Sequence, residues 1–543
     1  GRVPPVASTP MEDLEADEGS TAESSGLGGG HLARRRFVVA LGFGIANAAL
    51  LKRLPDRRRT PKVRQSALSS AAPTTSPPPV KVPPALDATG VDGDDHLYDT
   101  VIAGGRVIDP DTGFDSLAHI GVDGDSVARV SLEPLTGRAT LDATGLVVAP
   151  GFIDILSYRP NGYGDWYKIA DGVTTNLCLH GLDDPVAEFL AETGPLQPPV
   201  NYGGAVDHYE HRKDIGVGIQ RTVADQRAEL LRLAEADLEA GAIGIHQQPE
   251  YTVDLETSEM VAHGELAARY TVPLCLHVRY SEDHPPGTQR EALDEAIEVA
   301  RRTGCAIHLE HLNSTGGTGR MRGAIDQLEA ARGEGLAVTA CVYPYTSWAT
   351  YAASARFDNF QEKYGISYGD LQVAGTSERL TEAGFRAARD DNRLTAAFAM
   401  SEEDVTDALA APWVMIGSDS ILESHHNNHP RSAGCFSRVL GRYVRERGVL
   451  SLRDALARMT ILPARLLEAA SPAMARRGRL RVGSVADVTM FDPDRIIDRA
   501  TVADPGQESD GVVHVMVGGR LVRSGGVTDR TVRPGVPILR GES

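Results

Sequence analysis

The sequence predicts an α/β fold, a (β/α)8 TIM-like barrel with a small β-sandwich built from both ends of the mature chain. Two observations support this prediction. In the middle of the chain, short apolar runs alternate with amphipathic stretches, which is the rhythm of repeated βαβ units. At both ends, short β-rich runs are separated by Gly, Asp and Pro turn signals. A length of 543 residues accommodates one barrel and one satellite domain.

The β-rich ends predict the two parts of the sandwich. The first part spans residues 98–149 and contains the runs TVIAGGRVIDP and ATLDATGLVVAP. The second part spans residues 471–543 and contains ADVTMFDP and VVHVMVGGRLVRSGG. Two such ends on either side of a long middle indicate one sandwich that both ends assemble.

The predicted barrel spans residues 150–470. Amphipathic stretches at residues 223–240, 290–303 and 321–333 fit the helices between its strands. Residues 352–391, rich in Tyr, Gly, Asp and Arg, are long for a barrel connection and indicate an insertion, which we interpret as a lid. The candidate strands are GFIDIL, TTNLCLH, AIGIHQ, VPLCLHV, AIHLEHL, AVTACVYPY, LTAAFA and WVMIGSD.

Residues 1–72 show the pattern of an export leader with a basic segment. Arg34 and Arg35 stand just before Phe37 and the apolar stretch FVVALGFGIANAALL. A twin arginine before a short hydrophobic core is typical of a Tat signal, and this core is shorter than the about 20 residues of a membrane span. Residues 73–97 are proline-rich and indicate a stiff linker. We therefore expect Tat export to the extracellular space or cell envelope, with membrane contact only through an uncleaved leader. A buried or amphipathic helix with basic flanks is the alternative.

Composition narrows the possible partners and the role of cysteine. The formal net charge of −19 argues against binding nucleic acid through the general electrostatic field. The chain has 5 cysteines, four of them in apolar, strand-like runs, which predicts small buried hydrophobic residues.

Polar and ionisable residues recur at the C-terminal ends of the predicted strands. Asp419 follows the last strand, and four other strands end in His180, His246, His277 and His311. In a barrel these side chains face the same mouth. One strand-end histidine is usually structural, whereas four with an aspartate favour a metal or acid–base site, since imidazole and carboxylate suit Zn²⁺. A carboxylate there can take a proton from water and deliver it to a leaving nitrogen.

At these residues the chain resembles the N-acyl-D-amino-acid deacylase (D-aminoacylase) branch of the amidohydrolase superfamily. The resemblance implies the barrel with a β-sandwich, and hydrolysis of the amide of an N-acylated D-amino acid. It extends in family order from Tyr98 to about residue 501. The matching segments are YDTVIAGGRVIDP, VVAPGFID, DGVTT, HVRYSED with EALDEAIEVARRTG, HLEHLNSTG, VYPYT, VMIGSDS, NHPRSAGCFSRVLGRYVRERGVLSLRDALARMT and RGRLRVGSVADVTMFDP.

The resemblance assigns expected roles to individual residues. His277 and His311 match the histidines that hold the tightly bound zinc, and Asp419 matches the carboxylate that acts as general base and acid. Arg431 matches the clamp for the substrate α-carboxylate, a bidentate task suited to guanidinium, with a surface ion pair as the alternative. The other predicted substrate-binding residues are Tyr343 and Tyr345 of VYPYT, Arg279 and Tyr158.

Two departures from the family pattern concern the metal. The family's His-x-His pair, which follows the first barrel strand, is replaced by Leu156 and Tyr158. The family's bridging cysteine falls near His180, and Cys178 lies slightly earlier. The two-metal arrangement is therefore not intact, and we expect one Zn²⁺ on His277 and His311. The third ligand is His180 or His246.

Three hypotheses follow. The first is an exported, metal-dependent hydrolase that cuts a linear amide in a carboxylate-bearing small molecule. The second is an enzyme of the same fold with altered chemistry, such as opening or closing a cyclic amide. The third is a non-catalytic binding protein that kept the carboxylate clamp and lost its metal. Retention of Asp419 and Arg431 beside His277 and His311 favours the first two.

Overall fold

The computed structural model describes residues 96–420 and 427–541, so the predicted leader and nearly all of the predicted linker lie outside the described residues. The strands are β1 Leu97–Asp109, β2 Phe114–Asp123, β3 Ser126–Ser131, β4 Thr136–Asp142, β5 Val147–Pro150, β6 Phe152–Asp154, β7 Val173–Cys178, β8 Asn201–Gly204, β9 Val206–Asp207, β10 Ile245–Gln247, β11 Leu274–Leu276, β12 Ile307–Leu309, β13 Val338–Val342, β14 Trp348–Tyr351, β15 Leu371–Val373, β16 Leu394–Ala397, β17 Val414–Ile416, β18 Val488–Phe491, β19 Val512–Val517, β20 Arg520–Ser524 and β21 Val527–Thr528.

The α-helices alternate with the strands through the middle of the chain. They are α1 Gly164–Ala170, α2 Val186–Thr193, α3 His208–Asp214, α4 Ala224–Glu239, α5 Thr257–Tyr270, α6 Gln289–Thr303, α7 Met321–Gly333, α8 Phe360–Tyr364, α9 Glu382–Asp390, α10 Glu402–Ala410, α11 Arg431–Arg438, α12 Leu452–Met459 and α13 Ile461–Leu467.

The two ends of the chain share one nine-stranded sheet, which confirms that both ends build the β-rich domain. Its order is β21-β20-β19-β18-β5-β1-β2-β3, with β4 pairing β1. β5 pairs β1 in parallel and β18 antiparallel, so it joins the N-terminal strands to the C-terminal ones. Residues from both sets of strands, including Ile120 and Met490, bury a common core.

The barrel consists of parallel strands that carry their chemistry at one end. β6, β7 and β8 form one parallel sheet, and β9, β10, β11, β12, β13 and β17 form another. Only Ala205 separates β8 from β9, so the two occupy one strand position and the barrel has eight. A parallel bridge between Ser157 and Ser420 connects the first strand position to the last. Inward-facing residues such as Leu177, Cys275 and Met415 fill the interior.

One predicted barrel strand was wrong, and one real strand was missed. LTAAFA forms β16, which pairs antiparallel with β14 and β15 outside the barrel. The third barrel strand is β8, whose sequence Asn-Tyr-Gly-Gly lacks the apolar run that predicts a buried strand. A Cβ on Gly203 would stand 2.5 Å from the carbonyl oxygen of Ile538. Glycine is needed there because another backbone packs against the strand.

The inserted segment is larger than residues 352–391. The three-stranded sheet of order β14-β16-β15, together with α8 and α9, fills the connection between β13 and α10. The lid function remains a prediction.

The helical predictions agree with the structure to within about one residue at α4, α6 and α7. Capping interactions at both ends define the bounds of α6. The Thr288 hydroxyl accepts a hydrogen bond from the backbone N–H of Glu291, and the Glu291 carboxylate accepts one from the backbone N–H of Thr288. Gly304 ends the helix at φ +69°, in the left-handed region that favours glycine.

The last described residues correct the second boundary of the sandwich. After β21 the chain leaves the sheet and packs on the barrel, where Ile538 donates its backbone N–H to the carbonyl of Tyr202 in β8. The Ile538 side chain is fully buried in the barrel-interior cluster. Residues 529–541 therefore belong to the barrel.

The cysteine prediction is confirmed, since all five are buried thiols. Within residues 96–420 and 427–541, no helix has both the length and the apolar character that crossing a bilayer requires.

Candidate metal centre and active site

The strand-end histidines converge as predicted. The ring centroids of His277 and His311 lie 4.7 Å apart, and the ring of His180 lies 6.0 Å from the first and 5.6 Å from the second. His180, His277, His311 and Glu310 each present a ligand atom, and these four atoms lie within 4.8 Å of one another. This group can therefore hold a metal ion after modest adjustment of the side chains.

Glu310 separates the roles of the two candidate third ligands. One oxygen of its fully buried carboxylate lies 2.5 Å from Nδ1 of His180, and the other lies 2.9 Å from Nδ1 of His246. His180 is a member of the four-residue group, whereas His246 is not. With Nδ1 bound to Glu310, His180 can offer Nε2 to a metal. His246 is fully buried and helps to hold Glu310.

The electrostatics of this cluster favour an anionic Glu310. Burial would raise its pKa, but His246 and His180 hold that pKa well below its usual value. Burial would lower the pKa of His180, yet the Glu310 carboxylate raises it to about 9. The pKa of His246 falls to about 4, mainly through burial. The proton shared with Glu310 thus belongs to His180, on the nitrogen that faces away from the proposed metal position.

Unpartnered nitrogens show that the residues fit a metal ion. Nδ1 of His277 and Nδ1 of His311 are buried and have no hydrogen-bond partner among the described residues. The other nitrogen of His277, Nε2, contacts the Glu250 carboxylate. A carboxylate behind an imidazole is the usual arrangement for a metal-binding histidine, because it fixes the tautomer and the ring orientation. Glu250 and Glu310 provide this support for His277 and His180.

Two unusual backbone conformations bring the chemistry together. In a regular strand Glu310 and His311 would point to opposite faces, but His311 has φ +27° and the chain turns after β12. Both side chains therefore reach the same centre. Asp419, just after β17, has φ +51°. Left-handed residues other than glycine are strained and concentrate at functional sites.

Asp419 is paired with Arg431. Oδ2 of Asp419 lies 2.9 Å from Nη2 of Arg431, whose Nε donates to the Asp419 carbonyl at 2.7 Å. Burial raises the pKa of Asp419, and Arg431, His180 and His277 oppose that rise. Nη1 of Arg431 is buried with no hydrogen-bond partner among the described residues. One edge of the guanidinium thus holds Asp419, and the remaining nitrogen can bind another acceptor.

The positions of the absent His-x-His pair have taken other roles. Leu156 is fully buried and packs in the barrel interior. The Tyr158 ring lies 5.4 Å from that of His180, at the mouth. Burial, followed by the negative charge of Asp419, raises the pKa of Tyr158 well above its usual value. The described residues at this strand end offer no imidazole for a second metal.

The other predicted substrate-binding residues divide into two groups. The Tyr343 ring stacks under the guanidinium of Arg431, with CZ 4.7 Å from the ring centroid, so it belongs to the site. The hydroxyl of Tyr345 instead donates to Asp498 at 3.1 Å, so Tyr345 helps to hold α11 in place. Arg279 is paired with Glu295 of α6 at 2.8 Å and borders the mouth.

A cavity of about 400 Å³ lies beside the metal-site residues. Glu250 and Tyr251 line it on the His277 side, and the inserted segment contributes Arg356 and Lys363. Arg356 is almost fully buried, and its CZ lies 4.3 Å from the centroid of the Trp348 ring. Lys363 lies 3.9 Å from Glu282.

The sequence analysis missed Glu310, Glu250 and Arg356 as site residues. The sequence HLEH does contain a signal for Glu310, because a carboxylate beside a strand-end histidine can support a metal-binding imidazole. Glu250 and Arg356 lie in loops, where the sequence has no periodicity to show which way a side chain points.

A (β/α)8 barrel whose strand ends gather three histidines, a supporting glutamate and a terminal aspartate belongs to the class of metal-dependent barrel hydrolases. Residues 219–523 match the model of the amidohydrolase family. N-acyl-D-glutamate deacylase of Alcaligenes xylosoxydans xylosoxydans is 33% identical over 466 residues, covering 78% of this chain and 93% of that protein.

Solved structures give the same result. The N-acyl-D-glutamate deacylase from Bordetella bronchiseptica, complexed with zinc and a phosphonate inhibitor, shares 27% identity with a TM-score of 0.71, covering 82% of this chain and 100% of that one. A D-aminoacylase shares 26% identity with a TM-score of 0.72, covering 81% and 99%. The chain belongs to the amidohydrolase family, in its D-aminoacylase branch, and is a hydrolase of carbon–nitrogen bonds other than peptide bonds. These relatives and the donor set support a divalent metal at the centre.

Proposed function

We propose that this chain is an exported amidohydrolase that uses a single zinc ion to cleave the linear amide of an N-acyl-D-amino acid. The main support is the group of His180, His277, His311 and Glu310, whose ligand atoms lie within 4.8 Å of one another. Asp419 lies close enough to His180 and His277 for these residues to lower its pKa. A metal position beside a carboxylate is the arrangement that hydrolysis of an amide needs.

Three imidazoles would hold the metal. His277 would offer Nδ1 and His180 would offer Nε2, because Glu250 and Glu310 contact their other nitrogens, and His311 would be the third. Three imidazoles leave a fourth position open, as in catalytic zinc sites, and His180 loses the proton on its Nε2 when the ion binds. When bound, the ion supplies Lewis-acid polarisation of the scissile carbonyl and makes a water easier to deprotonate. We expect only one metal ion, because Leu156 has no donor atom and is fully buried where the family has a histidine.

Asp419 is the proposed proton carrier. Its carboxylate takes a proton from the attacking water, and the same proton then passes to the nitrogen of the leaving amine, so that the C–N bond breaks and no net proton is consumed in this exchange. Burial raises the pKa of Asp419, which makes its carboxylate a stronger base toward the attacking water than an exposed aspartate.

Arg431 is the proposed clamp for the substrate α-carboxylate. Its buried, unpartnered Nη1 can donate to a carboxylate oxygen, and the Tyr343 ring limits the orientation of the guanidinium. Because Nε and Nη2 contact Asp419, the clamp fixes the substrate close to the proton carrier.

The side chain of the substrate is proposed to be acidic. Arg356 and Lys363 line the cavity beside His277, and Nε of Arg356 has no hydrogen-bond partner among the described residues. The 33% identical relative is an N-acyl-D-glutamate deacylase, whose name specifies such a side chain. A second carboxylate is the group that the buried Arg356 and the half-buried Lys363 would select.

The activity is tested by metal analysis together with a substrate panel. Protein purified without chelators should contain about one zinc per chain, and should hydrolyse N-acetyl-D-glutamate much faster than the L isomer or a hydantoin. Asp419→Asn should lower kcat by roughly 100-fold or more while keeping ligand binding. Asp407→Asn is the control, because Asp407 of α10 pairs with Arg322 of α7. A metal-free chain that still binds N-acyl amino acids without turning them over would refute the proposal in favour of a binding protein.

Export is a separate part of the proposal, supported by the twin arginine and apolar core of residues 34–51. Residues 1–95 fused to a folded reporter should carry it across the bacterial cytoplasmic membrane through the Tat translocon. Replacing Arg34 and Arg35 by lysine should abolish this transport, whereas replacing Arg57 and Arg58 should not. A reporter that stays in the cytoplasm with the intact segment would exclude the export route.

A further inference from the structure

A buried ion pair lies directly behind Asp419. Lys168 of α1 and Asp154 of β6 are 2% and 0% exposed, and Nζ of Lys168 lies 2.5 Å from Oδ2 of Asp154. The same ammonium donates to the hydroxyls of Ser418 at 2.8 Å and Ser420 at 2.7 Å. These two serines are the residues on either side of Asp419.

The pair also holds the backbone of this segment. Oδ1 of Asp154 accepts the backbone N–H of Ser418 at 2.9 Å, and Oδ2 accepts its hydroxyl at 2.5 Å. The Asp419 N–H donates to the carbonyl of Leu156 at 2.6 Å, and Leu156 lies two residues after Asp154 in the chain. The ends of the first and last barrel strands are therefore joined around the single residue whose side chain faces the site.

The hydrogen bonds from Lys168 and Asp154 stabilise an unusual backbone conformation at Asp419. Its φ of +51° lies in the left-handed region, which an aspartate adopts less readily than the ordinary strand conformation, so neighbouring interactions must hold it. Without the ammonium, the two serine hydroxyls would lose their shared donor, and the segment could relax toward ordinary strand geometry. The Asp419 carboxylate would then turn away from the His180–His277 side of the mouth.

We propose that the Lys168–Asp154 pair is a positioning element for Asp419, a role that rests on the proposed function of Asp419 as proton carrier. Among the described residues, the hydrogen bonds of the pair reach Ser418 and Ser420 and none of the strand-end histidines. It holds residues 418–420 so that the carboxylate stays within reach of water and leaving nitrogen. A displacement of about 1 Å at a reacting group can cost on the order of 100-fold in rate.

A purely structural pair would behave differently when replaced. Buried ion pairs can often be exchanged for apolar residues of similar volume without loss of stability, whereas removal of one partner leaves an uncompensated charge. The double variant Lys168→Met/Asp154→Leu therefore separates folding from positioning. We expect it to regain much of the Tm lost in Lys168→Met, while kcat stays about 100-fold below wild type with KM and zinc content nearly unchanged.

Arg477→Met is the matched control. It breaks another buried pair, between Arg477 and Asp487, and Asp487 contacts Asn201 at the opposite, N-terminal end of the barrel strands. This variant should lower Tm but leave kcat within about twofold, because nothing that it disturbs touches residues 418–420. A double variant at residues 168 and 154 that regains both Tm and kcat overturns the proposal.

Hydrogen exchange of the peptide that covers residues 414–420 distinguishes failure of this inference from failure of the proposed activity. Exchange should be at least about tenfold faster in Lys168→Met and unchanged in Arg477→Met. Unaltered exchange in Lys168→Met removes the positioning element whatever the activity. A wild-type chain that hydrolyses no N-acyl amino acid removes the proposed function, and with it the role of the pair in proton transfer.

Discussion

At the residue scale, Glu310 organises the proposed metal centre. Its two oxygens contact His180 and His246, the two candidates for a third ligand. The contact orients His180 toward His277 and His311, and it leaves His246 as a buried support. A carboxylate in this position raises the basicity of the imidazole and reduces the rotational freedom that metal binding must remove.

Glu310→Gln should therefore weaken zinc binding by about 10- to 100-fold, because the amide can no longer stabilise the orientation and charge of His180. Competition with a chromophoric chelator measures this affinity without any substrate. Glu282→Gln is the control, since Glu282 is a buried acid at the neighbouring cavity and has no contact with a strand-end histidine. Equal zinc affinity in wild type and Glu310→Gln would contradict this role.

The contact between Arg431 and Asp419 predicts a pH effect. Burial raises the pKa of Asp419, and the guanidinium of Arg431 limits that rise. Arg431→Met should raise this pKa further, so the acidic limb of the kcat/KM profile should move to higher pH, because the base works only when deprotonated. Arg438→Met is the matched control on the same helix, as Arg438 pairs with Asp498 instead. An acidic limb at the same pH in Arg431→Met would exclude the coupling.

At the element scale, the inserted sheet β14-β16-β15 determines what surrounds the mouth. It replaces an ordinary barrel connection and contributes Arg356, whose guanidinium packs on Trp348 from the same segment. Arg356 also lowers the pKa of Glu250, which falls to about 2 although burial alone would raise it. The insertion thus reaches His277 through Glu250.

Arg356→Met should lower kcat/KM for N-acetyl-D-glutamate by roughly 10- to 100-fold relative to N-acetyl-D-leucine, which is the worth of a hydrogen bond to a charged group. The ratio of two substrates in one variant cancels any general loss of stability. Arg386→Met is the control, because Arg386 lies on exposed α9 and pairs with Glu382. An unchanged ratio would assign the selection of side chain to other residues.

At the scale of the whole molecule, both ends of the described part of the chain, which begins at residue 96 and ends at residue 541, support the barrel. The nine-stranded sheet joins strands from both ends, and residues 529–541 return to pack beside β8. Ile538 enters the same interior cluster as Ile153 and Leu156 of the first barrel strand position. The C-terminal segment thereby links the satellite sheet to the core beneath the active site.

Ile538→Ala should destabilise the chain by about 2–5 kcal/mol, because it leaves a cavity in a fully packed interior. Val536→Ala should change the free energy of unfolding by less than about 0.5 kcal/mol, since Val536 is 45% exposed. Chemical denaturation with both variants measures the difference. Similar unfolding free energies for the two would show that the C-terminal segment contributes little to the core.

The sequence predicted some secondary-structure elements accurately and others wrongly. Local apolar periodicity predicted α4, α6 and α7 to within about one residue, because a helix buries one face and its pattern is continuous in the chain. The sequence did not reveal β8, because Gly203 is needed for close packing against Ile538, which lies far away in sequence. The prediction of LTAAFA as a barrel strand is wrong, because a buried strand has the same composition in either sheet.

The sequence by itself determined the barrel, the shared terminal sheet and the strand-end residues His180, His246, His277, His311 and Asp419, since the end of each strand is marked locally. Only the tertiary structure decided that His180 joins the metal group, that Glu310 and Glu250 support the imidazoles, and that Arg431 pairs with Asp419. Those outcomes depend on distances between residues on different strands and on two left-handed backbone positions, and no local pattern in the chain specifies either.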